Sequence, residues 1–336
     1  METTRMIHAV DTHTAGEPTR IITGGVNRFD CAGGTVAEQR DRFAERYDHI
    51  REFVINEPRG HDDMFGAVQV DPSDDRADVG LFFMDNDGYL DMCGHGTMGA
   101  VTYLVESGQL ECKSPIFIET PAGIVTARTE RTDGDRPGPV TVQNTTSYVI
   151  DSRTVRAQIA GTSRELPVDI VSAGNVFALI PASAVDLPVE QSHVGSFVEI
   201  GLRIRAAIDD QLDLTDPIHG GPVDVDIVEF YEPREEVDRN IVVFSHGSVD
   251  RSPCGTGTCA KMTLLYENGE LDVDEEYPYA SVIGTQFVGR IRDVEKRDGI
   301  TVTVPEVAGE AYITASHTLY LDPRDPLPSF TLYDNR

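Results

Sequence analysis

One short pattern occurs twice in the chain and constrains its fold more than any other feature. Residues 91–101 read DMCGHGTMGAV and residues 250–262 read DRSPCGTGTCAKM, so Cys93 and Cys254 each begin a stretch of the form C-G-x-G-T. Identical residues recur at equal distances from the two cysteines: Phe83 and Phe244, Glu106 and Glu267, Gly108 and Gly269, Leu110 and Leu271, and Gly123 and Gly284. Collinear matches on both sides of a shared motif indicate a duplication. We therefore predict two related halves, each carrying one cysteine.

Length and hydrophobic periodicity fit two halves of mixed α/β structure. A chain of 336 residues is longer than one hydrophobic core usually spans. Segments rich in Val, Ile and Phe predict strands at 8–14, 66–70, 79–84, 116–120, 124–128, 140–144, 175–180, 240–244, 287–291, 300–304 and 312–316. Apolar residues spaced by three or four predict amphipathic helices at 38–55 and 196–212, at comparable places in the two halves. Residues 131–139, RTDGDRPGP, are the best candidate for a linker or exposed loop.

The composition excludes several classes of protein. The formal net charge is −29, and only three of the 28 basic residues are lysines. Such an acidic surface repels nucleic acid, and it is typical of proteins that work in concentrated salt, where ions screen self-repulsion. No apolar run approaches the roughly 20 residues that span a bilayer, and no secretory signal opens the sequence. We expect a cytoplasmic, salt-adapted protein that binds neither nucleic acid nor membrane, with an acidic mesophilic protein as the alternative.

The cysteines are predicted to be reduced thiols, two of them placed for chemistry. Five cysteines in a chain of this length are too few for a disulfide framework, and their number is odd. A helix N-terminus has unpaired N–H groups and partial positive charge, so it binds anions and favours a thiolate. If two such turns face each other, a thiolate on one side of a carbon removes a proton while a thiol on the other side supplies one, and the stereocentre inverts. Cys31, Cys112 and Cys259 lack the turn and are interpreted as structural.

Three other chemistries fit the cysteines less well. Cys93 and His95 alone do not make a zinc site, which needs three or four ligands. Paired redox cysteines usually lie close together in sequence. A pyridoxal phosphate enzyme needs a Schiff-base lysine, and Lys261 is the only lysine near either turn. We therefore expect neither a metal nor a cofactor.

The motifs together resemble the proline racemase family, and the resemblance runs along nearly the whole chain. It rests on MCGHGT, DRSPCGTGT, DTHTAGEPTR at 11–20, PRGHDDMFGAV from residue 58, and SAGNVFALI at 172–180. It implies a cofactor-independent racemase or epimerase with a diaminopimelate-epimerase-like fold of the α/β (α+β) class. In that fold two pseudo-symmetric domains each curl a mostly antiparallel sheet around a central helix. The implied halves are residues 1–127 with 306–336, and residues 128–305.

The same resemblance implies roles for individual residues. Cys93 and Cys254 would be the two acid/base residues. The carboxylate pocket would be lined by Gly94, His95, Gly96, Gly255 and Thr256, mostly through backbone N–H groups. Asp250 would accept a hydrogen bond from the substrate's ring ammonium, with His95 nearby, and His219 matches a substrate-binding histidine of the family in a loop that departs from its usual His-Pro pattern. The alternatives are a turn or cap residue for Asp250, a packing histidine for His95, and an architectural role for the DTHTAGEP stretch, with Thr14 and Glu17 as supports at most.

The two turns also favour one substrate among those that the resemblance implies. Family members that dehydrate trans-3-hydroxyproline typically have threonine in place of the second cysteine, so Cys254 favours inversion by two bases. Proline racemases resemble Cys-Gly-His-Asn-Ser at the first turn, whereas CGHGT resembles the members that act on 4-hydroxyproline. We therefore expect epimerisation of trans-4-hydroxy-L-proline to cis-4-hydroxy-D-proline. Racemisation of proline, dehydration of 3-hydroxyproline and a non-catalytic amino-acid-binding module are the alternatives, and a homodimer is left open.

Overall fold

The computed structural model of the protein describes residues 5–132 and 136–331, which form 18 β-strands and four α-helices. The elements up to the middle of the chain are β1 (Arg5–Thr14), β2 (Glu17–Gly24), α1 (Val36–Ile55), β3 (Phe65–Val70), β4 (Val79–Met84), β5 (Tyr89–Leu90), α2 (Gly94–Glu106), β6 (Ile116–Thr120), β7 (Gly123–Arg128) and β8 (Val140–Gln143). They are followed by β9 (Tyr148–Ile159), β10 (Thr162–Ser172), β11 (Val176–Pro181), α3 (Val194–Gln211), β12 (Ile227–Glu232), β13 (Asp238–Phe244), β14 (Ser248–Asp250), α4 (Gly255–Glu267), β15 (Tyr277–Ala280), β16 (Gln286–Arg297), β17 (Ile300–Gly309) and β18 (Ala311–Leu321).

These elements pack as two compact units, Met1–Val142 with Gly309–Arg336, and Gln143–Ala308. The chain passes from one unit to the other between residues 142 and 143 and again between residues 308 and 309. The sequence-based division put these boundaries between residues 127 and 128 and between residues 305 and 306. The predicted loop at 131–139 precedes the first passage between the units. Its residues 133–135 lie outside the described part of the chain, and Arg131 and Pro137 on either side of them form an isolated antiparallel bridge.

The first unit is built on a mostly antiparallel sheet with the strand order β18-β1-β2-β3-β4-β6-β7. The short β5 pairs with the end of β4. Only two of these neighbours run parallel, β2 with β3 and β4 with β6, and each parallel step is crossed by a helix. Helix α1 makes the first crossing and α2 the second.

The second unit repeats this plan. Its order is β9-β10-β11-β12-β13-β15-β16-β17, and the short β14 pairs with the end of β13. The parallel steps are again two, β11 with β12 and β13 with β15, crossed by α3 and α4. The duplication predicted from the cysteine motifs is therefore present in the strand order, and the predicted fold class is confirmed.

Each unit places one amphipathic helix against one side of its sheet. Thr35 caps α1 by accepting the Glu38 N–H, and the Glu38 carboxylate accepts the Thr35 N–H in return. The buried face of α1 then packs Phe43 against Phe82, with ring centroids 5.2 Å apart. Burial of one such side chain contributes about 2 kcal/mol. In the second unit Phe197 of α3 packs in the same way against Phe230, at 4.9 Å.

The other two helices are central, and they carry the cysteine motifs at their starts. Helix α2 packs against β1, β2, β3 and β18, and α4 against β9, β10, β11 and β16. Most residues of both helices are buried, which is why neither helix has a polar face in sequence. Both are followed, two residues after their last residue, by a glycine in the left-handed region, Gly108 (φ +72°) and Gly269 (φ +73°).

All eleven predicted strands and both predicted amphipathic helices are confirmed, with bounds that differ by a few residues. The prediction missed β2, β5, β9, β10, β12, β14 and β15. Strands β9 and β10 form a hairpin closed by Ala160 (φ +49°) and Gly161 (φ +78°), and one of its faces is exposed over much of its length. An exposed face carries polar residues, so these strands lack the apolar runs on which the other predictions were based.

No helix within residues 5–132 and 136–331 is long and apolar enough to cross a membrane.

Gly99 sets how closely α2 can approach the sheet, and this gives a stability prediction. A Cβ added at Gly99 would lie 2.4 Å from Thr12 Oγ1 of β1. Gly99→Ala should therefore push the helix away and lower the free energy of unfolding by about 1–3 kcal/mol, measured by denaturant unfolding.

Gly195→Ala is the matched control, because an added Cβ in α3 meets no atom within 4 Å. It should leave stability unchanged or raise it slightly, as alanine is the better helix former. Equal midpoints for wild type and Gly99→Ala would contradict the close approach.

Candidate active site

Cys93 lies at the start of α2, in an extended conformation at φ −145°. Its carbonyl accepts the Thr97 N–H (2.9 Å) and the Thr97 hydroxyl (2.7 Å), which begins the hydrogen bonds of the helix. The N–H groups of Gly94, His95 and Gly96 precede that first bond, so helix geometry leaves them to serve an anion. The thiol itself is 7% exposed.

His95 packs directly beside this thiol. Cys93 Sγ lies 3.5 Å from His95 Nδ1 and 3.7 Å from Nε2, and the imidazole meets the edge of the Phe65 ring at 4.6 Å between centroids. Complete burial lowers the pKa of His95 to about 3, against a smaller opposite effect of a hydrogen bond to the Pro18 carbonyl. The imidazole is therefore neutral near pH 7. Since one ring nitrogen donates to Pro18, we assign the other as an acceptor that faces the thiol.

The N-terminal DTHTAGEP stretch forms a hydrogen bond to this turn. Thr14 at the end of β1 is wholly buried, and its hydroxyl donates to the His95 carbonyl at 2.8 Å. Gly96 leaves room on the other side, because an added Cβ would lie 3.0 Å from Cys93 Sγ and 3.1 Å from the Phe83 ring. The stretch thus supports the helix start, in line with the architectural interpretation of the sequence.

Cys254 begins α4 in a more constrained conformation. Its φ of +60° is in a region that residues other than glycine rarely adopt. This backbone turns the side chain back over the helix start, where Sγ accepts the Gly257 N–H at 3.4 Å and lies 3.5 Å from Thr256 Oγ1. The Thr258 N–H donates to the Cys254 carbonyl at 2.8 Å, which begins the hydrogen bonds of α4. The N–H groups of Gly255 and Thr256 come before this bond, so helix geometry leaves them for an anion.

Asp250 fixes the approach to this turn. Its carboxylate accepts the Ser252 N–H at 2.7 Å, and the Ser252 hydroxyl accepts the Cys254 N–H at 3.1 Å. Asp250 is thus a turn residue, which is the alternative role that the sequence analysis gave for it. The same carboxylate also interacts with the Cys254 thiol, and it is 6% exposed.

Burial and two carboxylates oppose the thiolate form of Cys254. Burial raises the pKa of the Cys254 thiol well above its ordinary value, with further upward effects of the charges on Asp250 and Glu229. Burial likewise raises the pKa of Asp250 to about 6. A cation bound beside Asp250 would lower the pKa of Asp250 and that of the Cys254 thiol, because a positive charge stabilises negative charge on its neighbours.

His219 lies in a network of its own in the second unit. Its backbone N–H donates to Asp216 Oδ1 at 2.9 Å, and Nδ1 lies 3.2 Å from both Asp216 Oδ2 and the Tyr148 hydroxyl. Its side chain is 66% exposed. None of its hydrogen bonds to described residues reaches the Cys254 turn, so its substrate-binding role stays a prediction.

The remaining cysteines differ from the two at helix starts. All five cysteines are free thiols. Cys31 and Cys259 are buried, Cys112 is half-buried, and burial is the largest cause of the raised pKa of both Cys31 and Cys259. Over the part of the chain that the structure describes, no three His, Cys, Asp or Glu side chains come together as a metal site would require.

The sequence did not identify two side chains that contact these turns. Phe65 in β3 packs on His95, and Glu229 in β12 lies against the Cys254 turn. Phe65 is part of PRGHDDMFGAV, so the motif held the signal, whereas Glu229 could have been noticed as a lone acid within the apolar run IVEFY.

Comparison with known proteins decides the family. The sequence profile described as Proline racemase matches residues 9–330. The chain belongs to the proline racemase family. It is accordingly an isomerase of the racemase and epimerase type, as the two cysteine motifs predicted.

Several relatives of this family member cover nearly its full length. It is 38% identical to the proline racemase of Acetoanaerobium sticklandii, over 97% of this chain and 98% of that protein. It is 39% identical to the 4-hydroxyproline 2-epimerase of Streptosporangium roseum, over 98% of each. It is 34% identical to the trans-3-hydroxy-L-proline dehydratase of Bacillus thuringiensis subsp. konkukian, over 97% of this chain and 98% of that protein.

Solved structures agree on the fold. A hydroxyproline epimerase from Agrobacterium vitis, with bound trans-4-hydroxy-L-proline, superposes with a TM-score of 0.84 at 28% identity, covering 99% of this chain and 97% of that one. A PhzF family protein from Bacillus anthracis is similar in fold alone, with a TM-score of 0.60 at 17% identity over 95% of this chain and 99% of that one.

The neutral state of His95 predicts how stability depends on pH. The folded-state pKa of about 3 lies below the ordinary histidine value of 6.5, so below about pH 6.5 the unfolded chain takes up a proton that the folded protein does not. This contribution to stability is present above pH 6.5 and is lost as the pH falls towards 3. In His95→Asn the loss of unfolding free energy between pH 7 and pH 5 should be smaller than in wild type by about 2 kcal/mol.

Denaturant unfolding at the two pH values measures this difference. His49→Asn, which removes an exposed histidine of α1, should show the wild-type loss. An equal loss in His95→Asn and wild type would mean that the imidazole is not held neutral.

Proposed function

We propose that the protein inverts the α-carbon of free 4-hydroxyproline, converting trans-4-hydroxy-L-proline to cis-4-hydroxy-D-proline without a cofactor. The observation that carries the proposal is the equivalent placement of Cys93 and Cys254, each immediately before the first residue of the central helix of its unit. Each unit is then one epimerase half and contributes one thiol.

The two thiols exchange roles between the two directions of reaction. In one direction a thiolate at one cysteine takes the α-proton, and the thiol at the other cysteine gives its proton to the opposite face of the same carbon. The enzyme ends with the proton on the first sulfur and the negative charge on the second. The reverse reaction starts from that state, as microscopic reversibility requires.

The helix starts supply what the carbanion needs. As the α-proton leaves, negative charge spreads onto the substrate carboxylate, and backbone N–H donors stabilise it. Gly94, His95 and Gly96 offer such groups in the first half, and Gly255 and Thr256 offer them in the second. Because these donors are held by the helices, they need little reorganisation during the reaction.

Asp250 and His95 suit the ring ammonium of the substrate. A buried ammonium requires a fixed counter-charge, and Asp250 is a buried carboxylate held by Ser252. A neutral His95 can accept a hydrogen bond without repelling the ammonium. Binding of the cation beside Asp250 would also favour the thiolate at Cys254, so substrate binding and acid/base chemistry support each other.

The preference for hydroxyproline over proline rests on the first turn. The sequence CGHGT has Gly96 and Thr97 where the resemblance gives proline racemases Asn and Ser. Asparagine at 96 would press on Cys93 Sγ and on the Phe83 ring, because an added Cβ lies 3.0 Å and 3.1 Å from them, so this turn fits the glycine of the CGHGT form. Racemisation of proline remains the second candidate, because the relatives named for the two activities are equally similar to this chain, at 38% and 39% identity.

Proton NMR in D2O tests the function directly. With trans-4-hydroxy-L-proline the α-proton signal should disappear while cis-4-hydroxy-D-proline accumulates, and L-proline in parallel should react more slowly. Cys93→Ser and Cys254→Ser should each reduce inversion by at least about 1,000-fold, because a serine hydroxyl is a far weaker acid and base at this pH.

Cys112→Ser is the matched control and should keep wild-type turnover, since that cysteine is half-buried and starts no helix. Wild-type turnover in either of the other two variants would refute the two-base assignment. Exchange with L-proline alone would move the assignment to proline racemase, and exchange with neither ring would leave dehydration or simple binding.

We also propose that the protein is adapted to concentrated salt, on the basis of its net charge of −29. At about 1 M salt the Debye length is about 3 Å, so repulsion between surface carboxylates is largely screened. The melting temperature should therefore rise steadily between about 0.1 M and 2 M KCl. Sucrose is the control for exclusion effects that do not depend on charge. A melting temperature that does not depend on KCl would contradict this adaptation.

A further inference from the structure

A buried carboxylic acid lies directly against the turn that carries Cys254. Glu229 in the middle of β12 is wholly buried, and its side chain points to the start of α4. A Cβ added at Gly257 would lie 2.3 Å from Glu229 Oε2 and 3.4 Å from Cys254 Sγ. The second glycine of the C-G-T-G-T motif therefore leaves the space that this carboxyl group occupies.

The hydrogen bonds around Glu229 are incomplete in a specific way. Oε1 accepts the Tyr279 hydroxyl at 2.7 Å, whereas Oε2 has no hydrogen-bond partner among the described residues. The same is true of Oδ1 of Asn240, whose side chain interacts with this carboxyl group and lowers its pKa, against the larger upward effect of burial. The Asn240 amide nitrogen already donates to the Pro253 carbonyl at 2.7 Å, so the amide cannot turn round without losing that bond. A proton on Glu229 Oε2 would let this oxygen donate a hydrogen bond, and Asn240 Oδ1 is a buried acceptor that has no partner among the described residues.

The first half has no such acid at the equivalent place. Glu229 pairs across the sheet with Val242, twelve residues before Cys254, and Gln69 pairs with Leu81, twelve residues before Cys93. Gln69 is therefore the counterpart of Glu229 in strand register. The space behind Gly96 is bounded by the Phe83 ring. At this strand position, therefore, one half has a carboxylic acid and the other has an amide.

We propose that Glu229 is a positioning residue for Cys254: when protonated it bonds Asn240 and permits the thiolate, and when ionised it holds the proton on Cys254. The inference deepens the proposed function, since it rests on Cys254 acting as thiol and thiolate. A carboxylate this close to the sulfur disfavours a second negative charge, which is the physical basis of the coupling.

Other groups also act on Glu229 and on the thiol. Lys261 lies in α4, with its Nζ 3.5 Å from the centre of the Tyr231 ring. Its positive charge stabilises the ionised form of Glu229 and so lowers the pKa of that carboxyl group. Burial outweighs this attraction and raises the pKa of Glu229 to about 7. Asp250 of β14 acts on both groups. The charge of Glu229 also acts on four other ionisable neighbours, Tyr231, Cys259, Tyr277 and Tyr279. All of these stay in place when Glu229 alone is changed.

The experiment measures the rate at which iodoacetamide alkylates Cys254 as a function of pH, with the site identified by peptide mass spectrometry. Glu229→Gln keeps the shape and can donate its amide to Asn240, but it carries no charge at any pH. Its pH midpoint for alkylation should fall by about one unit, which is about tenfold faster alkylation at pH values above 7 and below both midpoints, where Glu229 of the wild type is ionised.

Glu119→Gln is the matched control. Glu119 is also a buried carboxylate that accepts several hydrogen bonds, but it lies in the first unit, where it binds Ser73 and Asp74. This variant should keep the wild-type midpoint at Cys254 even if its stability falls. An unchanged midpoint in Glu229→Gln, or an equal shift in Glu119→Gln, would overturn the proposal.

The wild-type protein provides a second test that does not require a variant to fold. If Glu229 ionises before the thiol and opposes it, the logarithm of the alkylation rate should rise with pH, flatten near pH 7 and rise again. A single unbroken rise across this range would overturn the coupling. Failure of this inference can be distinguished from failure of the proposed function, because α-proton exchange tests the function and alkylation tests the coupling.

Discussion

The structure depends on one constraint: two α-helices begin inside the protein, where water cannot satisfy their first N–H groups. Such a start needs partners, and an apolar interior provides few. In both units the residue at that position is a cysteine followed by glycine, so the helix start is close to a polarisable sulfur and open to a ligand. The need to satisfy the backbone and the ability to hold a carboxylate beside a thiol therefore arise from the same geometry.

The sequence predicted much of this arrangement because the informative residues lie close together in the chain. The C-G-x-G-T repeats located the two turns at which the central helices begin. The amphipathic helices α1 and α3 followed from their apolar spacing. Strands with one exposed face, such as β9 and β10, were missed because a half-polar strand resembles a loop in composition.

The parts of the site that sequence reasoning missed depend on contacts distant in the chain. Glu229 is 25 residues before Cys254, and only the pairing of β12 with β13 brings it beneath the turn. Phe65 reaches His95 through the sheet as well. Burial, which makes His95 neutral and Asp250 a weaker acid, is likewise a property of the folded chain and not of the motif. Residue types are thus readable from one sequence, while their protonation states are not.

The backbone at Cys254 bears on how activities can diverge within this family. A positive φ is tolerated by cysteine with some strain, but it is far less compatible with a side chain that branches at Cβ. Threonine, the residue that the resemblance gives to eliminating members at this position, would not fit the present dihedral angle without rebuilding residues 252–256. A single Cys254→Thr change in this chain would therefore add strain to the turn on which the second thiol is held. The conformation of this turn, and not only the chemistry of a thiol, therefore limits which residue can occupy position 254.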